Sequence, residues 1–136
     1  MKYIEIIQDL IEAGDPMVKA FLKDAGRIKR LSKKERDYFL QNRRKPGAVT
    51  KLVEEFIPLI IMVAYGYSQK AKMLSVLDLI NEGVLGAYVA FERNKKGEIL
   101  TKRRVISSIK SMIKKAVYKE YHRRKKECKT IISTTT

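Results

Sequence analysis

The sequence predicts an all-α fold, a compact bundle of helices. Apolar residues recur every three or four positions along nearly the whole chain, and no useful length alternates with the two-residue period of a strand. Residues that are typical of helix starts and helix ends lie between these apolar segments. With 45% hydrophobic residues among 136, the chain has enough apolar surface for one modest core. These observations exclude a mainly disordered chain.

Residues 1–45 are predicted to form short helices. A first helix ends at Gly14, and Asp15 before Pro16 is typical of a helix start, because the carboxylate can accept a bond from a first-turn amide. Ser32 with Glu35 three residues later predicts a capping box that begins a third helix. Whether the first 20 residues join the bundle or form a separate docking helix stays open. The expected apolar residues are Ile4, Ile7, Leu10 and Ile11, then Met17, Val18, Phe21 and Leu22, then Tyr38, Phe39 and Leu40.

Residues 46–127 are predicted to form the main helical domain. After a break at 45–47, Pro58 lies inside a helical apolar pattern and lacks a backbone donor, so we expect a kink or a helix that restarts near it. Residues 66–74 are expected to be a polar connection, and Ser75 can cap the next helix. The expected apolar stripe is Leu52, Phe56, Leu59, Val63 and Tyr67.

Two further helices are expected after Ser75. Gly83 and Gly86 lie in the first of them, and glycine inside a helix costs about 1 kcal/mol relative to alanine. We therefore expect close approach of another helix, with a helix break at Gly83 as the alternative. A charged turn over 94–97 precedes a helix from about Lys102 to beyond Tyr121, and 128–136 is expected to be a disordered tail. The apolar stripes are Leu77, Ile80, Val84, Ala87, Tyr88 and Phe91, then Val105, Ile109, Met112, Ala116 and Val117.

Charge is concentrated at the end of the chain. Residues 101–136 carry 12 basic and 2 acidic residues, or +10 of the total +15. Such an excess indicates a polyanionic partner at that end.

The sequence gives little support for a membrane or secreted protein, for a metal site or for an enzyme. The single cysteine, Cys128, cannot form an internal disulfide, and the apolar run over 56–67 is too short for a membrane span of roughly 20 residues. No secretory signal is visible, so we expect a soluble protein of the cytoplasm. His122 and Cys128 are two candidate ligands where zinc needs about four, and no nucleophile–base pair stands out. We therefore expect no metal, no cofactor and no enzymatic activity.

Several motifs, in order along the chain, resemble regions of bacterial sigma factors. Residues 77–86, LDLINEGVLG, resemble region 2.2 of that family. The resemblance covers about residues 20–120 in the family's order and near its spacing. The other matching segments are 21–28 and 31–35 (region 1.2), 52–55 and 59–64 (region 2.1), 91–93 and 96–97 (start of region 2.3) and 109–117 (region 2.4).

The resemblance implies a transcription initiation factor with two binding surfaces. Region 2.2 of the family docks on the clamp coiled coil of the largest subunit of RNA polymerase, which assigns polymerase binding here to Leu77, Asp78, Asn81 and Glu82. Asp78 and Glu82, four residues apart, share a helix face and could pair with basic residues of a partner. The alternative is an ordinary solvated helix surface.

The final helix corresponds to the family's helix for the upstream part of the promoter −10 element. Lysine and arginine neutralise phosphates, and their donors reach guanine edges. The alternative is a charged face that only keeps the protein in solution. The candidate DNA-binding residues are Lys102, Arg103, Arg104, Ser107, Lys110, Ser111, Lys114, Arg123 and Arg124.

Two departures from the family leave alternatives open. Residues 99–108 hold no aromatic residue, and the chain has no tryptophan, whereas family members that melt promoters carry aromatics there. No segment corresponds to regions 3 and 4, so a second subunit supplying −35 recognition is expected for a phage, mobile-element or split sigma factor. The alternatives are a polymerase-binding co-factor or decoy that does not initiate, and a basic protein that binds nucleic acid without sequence preference.

Overall fold

The described part of the chain consists of helices and their connections. The computed structural model describes residues 2–71, 74–93 and 100–135, the last eight of them by their backbone alone. Over these residues it has seven helices and no strand, which confirms the all-α fold. The helices are α1 (Tyr3–Glu12), α2 (Pro16–Ala25), α3 (Lys33–Gln41), α4 (Ala48–Glu54), α5 (Ile57–Lys70), α6 (Val76–Arg93) and α7 (Lys102–Thr135).

The predicted helix starts are confirmed by their hydrogen bonds. The Met17 amide donates to Asp15 Oδ1 at 2.9 Å, with Pro16 at the first helical position. Ser32 and Glu35 form the reciprocal capping box, with both bonds at 3.1 Å. The Asp78 amide donates to Ser75 Oγ at 3.1 Å at the start of α6.

Pro58 begins a new helix. α4 ends at Glu54 and α5 starts at Ile57, with Pro58 in the first turn, where its missing amide breaks no helical bond. This restart shifts the buried side of α5 to Ile57, Ile60, Ile61, Ala64 and Tyr65. Of the predicted stripe, Leu52 is buried as expected, whereas Phe56, Leu59, Val63 and Tyr67 are half-buried and pack at the margin of the core. The predicted connection over 66–74 was wrong in extent, because α5 continues to Lys70.

The closest helix packing joins α6 and α7. A Cβ on Gly86 would lie 2.7 Å from the carbonyl oxygen of Ser108 and 3.0 Å from Ile109 Cα. A Cβ on Gly83 would lie 2.7 Å from Ile60 Cγ2 of α5. Ser108 Oγ donates to the Gly86 carbonyl oxygen at 2.6 Å, which adds a polar bond at the crossing. The expected close approach at both glycines is confirmed, and α6 runs through them unbroken.

One continuous core includes residues from α1 and α2 as well as α4–α7. The hydroxyl of Tyr65 in α5 donates to the Asp9 carboxylate in α1, which ties the first helix to the bundle. Arg36 of α3 holds Glu55 through two bonds, Nε to Oε2 at 2.8 Å and Nη2 to Oε1 at 3.1 Å. The fully buried large side chains are Ile60, Ile61, Leu79, Ile80, Val105, Ile109 and Ile113.

Other predicted stripes differ from the buried faces by one or two positions. α1 buries Ile6 and Leu10, while Ile4 is 64% exposed, and Met17 at the start of α2 is 68% exposed. α6 buries Leu79, Gly83 and Gly86 in place of Leu77, Val84 and Tyr88, because the glycines let α7 approach that side. α7 buries Ile113, and Met112 is half-buried.

The backbone of α7 is helical through Thr135, where a disordered tail from 128 was expected. The expected charged turn over 94–97 lies outside the described residues. None of the helices in the described ranges combines the length and apolar character needed to cross a membrane.

We predict that the Gly86→Ala substitution destabilises the fold by about 1–3 kcal/mol, because the added methyl group meets backbone atoms of α7 that cannot move independently. Gly66→Ala is the matched control. Gly66 lies inside α5 with no atom within 4 Å of an added Cβ, so alanine there should stabilise by about 0.5–1 kcal/mol. Urea denaturation followed by circular dichroism measures both, and equal stabilities would contradict the close packing.

Candidate docking and nucleic-acid surfaces

The α6 surface consists of Asp78, Asn81, Glu82 and Leu85. Asp78 and Asn81 are exposed on the side of α6 turned away from Gly83 and Gly86. Glu82 is half-buried at the edge of that side, one turn before Gly86. Within the described residues, neither carboxylate forms an ion pair. The surface can therefore offer two negative charges to a basic partner. Leu77, also predicted for this site, is half-buried against the core.

Leu85 was missed by sequence reasoning. It is 49% exposed and lies one turn beyond Asn81, on the same side of the helix. The signal was available, because positions 78, 81 and 85 follow helical spacing, but a leucine in an apolar helix is more often a core residue. An exposed leucine beside two carboxylates combines an apolar anchor with charge, which is typical of protein-binding surfaces.

The α7 basic surface lies on the side of α7 opposite its core residues. Thr101 caps this helix by accepting a bond from the Arg104 amide at its Oγ1, at 3.2 Å. Val105, Ile109 and Ile113 are buried in the bundle, and this fixes which side of the helix meets solvent. The structure brings together on the solvent side six of the nine predicted residues, all exposed: Arg103, Arg104, Ser107, Lys110, Ser111 and Lys114. Lys102 is exposed at the first position of the helix.

Arg123 and Arg124 do not share this surface. Arg123 follows Val105 by 18 residues, about five helical turns, and therefore points in the direction of the buried stripe. Both arginines are held by Glu120, which accepts from Arg123 Nη2 at 2.6 Å and from Arg124 Nε at 3.1 Å. Arg123 also contacts Glu127. These bonds lower the pKa of Glu120 to about 2, so its carboxylate stays ionised and keeps both arginines engaged.

The residues that the structure describes contain no cluster of candidate metal ligands. No three histidine, cysteine, aspartate or glutamate side chains come together there. His122 contacts two tyrosine rings, with its ring centroid 4.2 Å from that of Tyr118 and 5.7 Å from that of Tyr121. The side chain of Cys128 lies outside the described residues. The two adjacent helices α6 and α7 therefore carry exposed side chains of opposite charge.

A scan of the chain against models of known protein families finds no match, and a comparison with curated proteins finds none.

We predict that Glu120→Gln lowers the helical content of α7 at pH 7, because it removes the carboxylate that holds Arg123 and Arg124. The pKa of Glu120 is lower in the folded protein, so its stabilisation is present above about pH 4.5 and is lost as the pH falls through about 2. The difference in mean-residue ellipticity between the variant and the parent should therefore close over that range.

The control for this substitution is Glu12→Gln, the same change at an exposed position of α1 for which the described residues offer no ion pair. It should leave helical content at pH 7 unchanged. A Glu120→Gln variant as helical as the control would show that the ion pairs do not stabilise α7.

Proposed function

We propose that the protein is a sigma-like transcription initiation factor, which binds core RNA polymerase through the α6 surface and promoter DNA through the α7 basic surface. The observation that carries the proposal is the direct packing of α6 on α7. Gly86 faces α7 and Gly83 faces both α5 and α7, so Asp78 and Asn81 of α6 and the basic side of α7 point away from the contact, with Glu82 at its edge. A single rigid pair of helices can then hold polymerase and DNA at once, in the cytoplasm where both are found. The protein acts by binding and has no catalytic role.

The α6 surface suits a basic, partly apolar partner helix such as the clamp coiled coil implied by the resemblance. Asp78 and Glu82 lie one helical turn apart, which matches the spacing of cations along a partner helix. Charges at the rim speed association and select the partner, while an apolar residue such as Leu85 supplies affinity once water is excluded.

The α7 basic surface suits duplex DNA. Arg103, Lys110 and Lys114 follow one another along a single exposed side of the helix, so they can contact phosphates in succession. Ser107 and Ser111 lie between these cations, and their hydroxyls can bond to phosphate or base edges. An α-helix fits the major groove, where base pairs differ in their donors and acceptors.

A second candidate is a polymerase-binding co-factor that does not open DNA. Over residues 100–108, Val105 is buried and Leu100 and Ile106 are half-buried, while the exposed side chains are cations and hydroxyls. This segment therefore offers no aromatic ring to hold an unpaired base. If core enzyme together with this protein makes promoter-specific transcripts, the result supports the initiation factor over the co-factor. The assay includes a second subunit where −35 recognition is required.

We predict that Glu82→Lys weakens binding to core polymerase at least tenfold, because a repulsive contact replaces an attractive one at the rim of the α6 surface. The matched control is Glu12→Lys, the same charge change at an exposed position of α1, which should alter affinity less than about twofold. Binding is measured by anisotropy of the labelled protein, with competition by a full-length sigma factor.

Two results would contradict the docking proposal. One is an equal affinity for the Glu82→Lys and Glu12→Lys variants, both shown to be folded by circular dichroism. The other is saturable binding that the competing sigma factor does not displace.

We also predict that the double substitution Lys110→Ala with Lys114→Ala weakens duplex binding and flattens its salt dependence. Each phosphate that the protein no longer neutralises reduces the slope of log K against log salt concentration by about 0.9, so the slope should fall by about 1.8. The matched control is Lys19→Ala with Lys23→Ala, two exposed lysines at the same spacing on α2. It removes equal charge and should leave the slope unchanged.

The duplex titrations should span about 50–200 mM salt and compare a promoter sequence with its scrambled form. Equal slopes for the two double variants would mean that the α7 basic surface does not contact DNA. Equal affinity for both sequences would instead support the basic protein without sequence preference.

A further inference from the structure

A cavity of about 760 Å³ lies where the N-terminal helices meet the main bundle, and all seven helices contribute residues to its walls. Pockets that hold drug-sized organic molecules have volumes of roughly 300–1,000 Å³, so this cavity is large enough for a small ligand. Of the residues assigned to the two surfaces above, it includes only Lys102. The cavity is therefore a separate feature of the fold.

Apolar side chains from distant parts of the chain line this cavity without being fully covered. Ile28 between α2 and α3, Leu40 of α3, Leu59 of α5 and Ile106 of α7 are each half-buried there, as is Phe56 between α4 and α5. The fold thus leaves part of their apolar surface in contact with water at one place. A ligand with an apolar body would remove that surface from water, which is favourable.

The two glutamates that line the cavity already have cationic partners. Arg36 donates to Glu55 from Nε at 2.8 Å and from Nη2 at 3.1 Å, in the bidentate geometry that holds a carboxylate firmly. Lys51 Nζ lies 3.7 Å from Glu54 Oε2. Both negative charges are offset by these partners, which weakens their repulsion of an anion in the cavity.

Three cations of the lining have no such partner. Lys29, Arg30 and Lys102 are exposed, so they lie where the cavity meets solvent, and none of them forms an ion pair within the described residues. Such side chains can keep their stems on an apolar wall and their charged ends at the opening. Tyr3 also lines the cavity, and burial raises the pKa of its hydroxyl, which therefore keeps its proton and can donate it to an acceptor.

We infer that this cavity binds a small organic acid with an apolar body, such as a medium-chain fatty acid. The apolar body lies against the half-buried side chains, and the carboxylate lies at the opening among Lys29, Arg30 and Lys102. A wholly apolar ligand would leave these cations without a partner, and a small polar anion would leave the apolar walls in water. The inference goes beyond the proposed function and does not rest on it.

The test titrates the full chain by isothermal calorimetry with decanoate, which has an apolar body and a carboxylate, and with decan-1-ol and acetate, which each lack one of the two. Decanoate should bind saturably, with one molecule per chain, and at least about tenfold more tightly than either of the others. The midpoint of thermal unfolding should also rise with decanoate concentration, because a ligand that binds only the folded chain stabilises it.

Two charge variants locate the carboxylate. The double substitution Lys29→Gln with Arg30→Gln should weaken decanoate binding about fivefold or more and change decan-1-ol binding less than about twofold. The matched control is Lys33→Gln with Lys34→Gln, two exposed neighbours outside the lining. It removes the same charge from the protein and should leave decanoate affinity unchanged.

Two size variants locate the apolar body. Ala25 of α2 is half-buried and lines the cavity, so Ala25→Leu places a bulkier side chain there and should weaken decanoate binding about tenfold or more. Ala20→Leu, the same change at an exposed position of α2 outside the lining, should have no effect. Circular dichroism checks that all variants are folded, and the charge variants decide the test if Ala25→Leu disturbs the fold.

Any of four outcomes would overturn the inference. They are an absence of saturable decanoate binding, acetate or decan-1-ol bound as tightly as decanoate, equal losses in the two charge variants, and unchanged decanoate affinity in a folded Ala25→Leu variant. The measurements use neither polymerase nor nucleic acid, so their failure is distinct from failure of the proposed function.

Discussion

The close crossing of α6 and α7 determines most of what this protein presents to its surroundings. At Gly86 the two backbones approach so nearly that a single methyl group would meet the Ser108 carbonyl oxygen at 2.7 Å. Packing this tight gains dispersion energy along both helices, and it also fixes their rotation, because only one side of each can enter the contact. The rotation decides that Asp78 and Asn81 face solvent on one helix and Lys110 and Lys114 on the other.

Charge is distributed around this crossing in a way that folding alone does not require. The described core contains no buried polar or charged residue, so its stability comes from apolar packing. The cations of α7 repel one another, and Glu120 with Glu127 offsets part of this repulsion near the end of the basic run. Lysines 110 and 114, by contrast, form no such pair within the described residues.

The proposed function follows from the geometry of this crossing. Near it, α6 and α7 form one rigid unit with an acidic and a basic side, which suits a factor that joins a polymerase to a duplex. Farther along α7, beyond Val117, the helix leaves the bundle and exposes Tyr118 and Tyr121 beside lysines.

The sequence by itself determined the helical class, the caps at Asp15, Ser32 and Ser75, and an interruption near Pro58, because these depend on hydrogen bonds and steric limits within a few residues. Whether that interruption is a kink or a new helix was left open. Only the tertiary structure decided which side of each helix is buried. Apolar residues occupy more than one side of α5, α6 and α7, so periodicity alone leaves the rotation uncertain by a position or two. Leu85, Arg123 and Tyr118 acquired their surroundings from that rotation and from where α7 leaves the core. Contacts between helices set both, and the spacing of apolar residues within a single helix does not choose among its possible rotations.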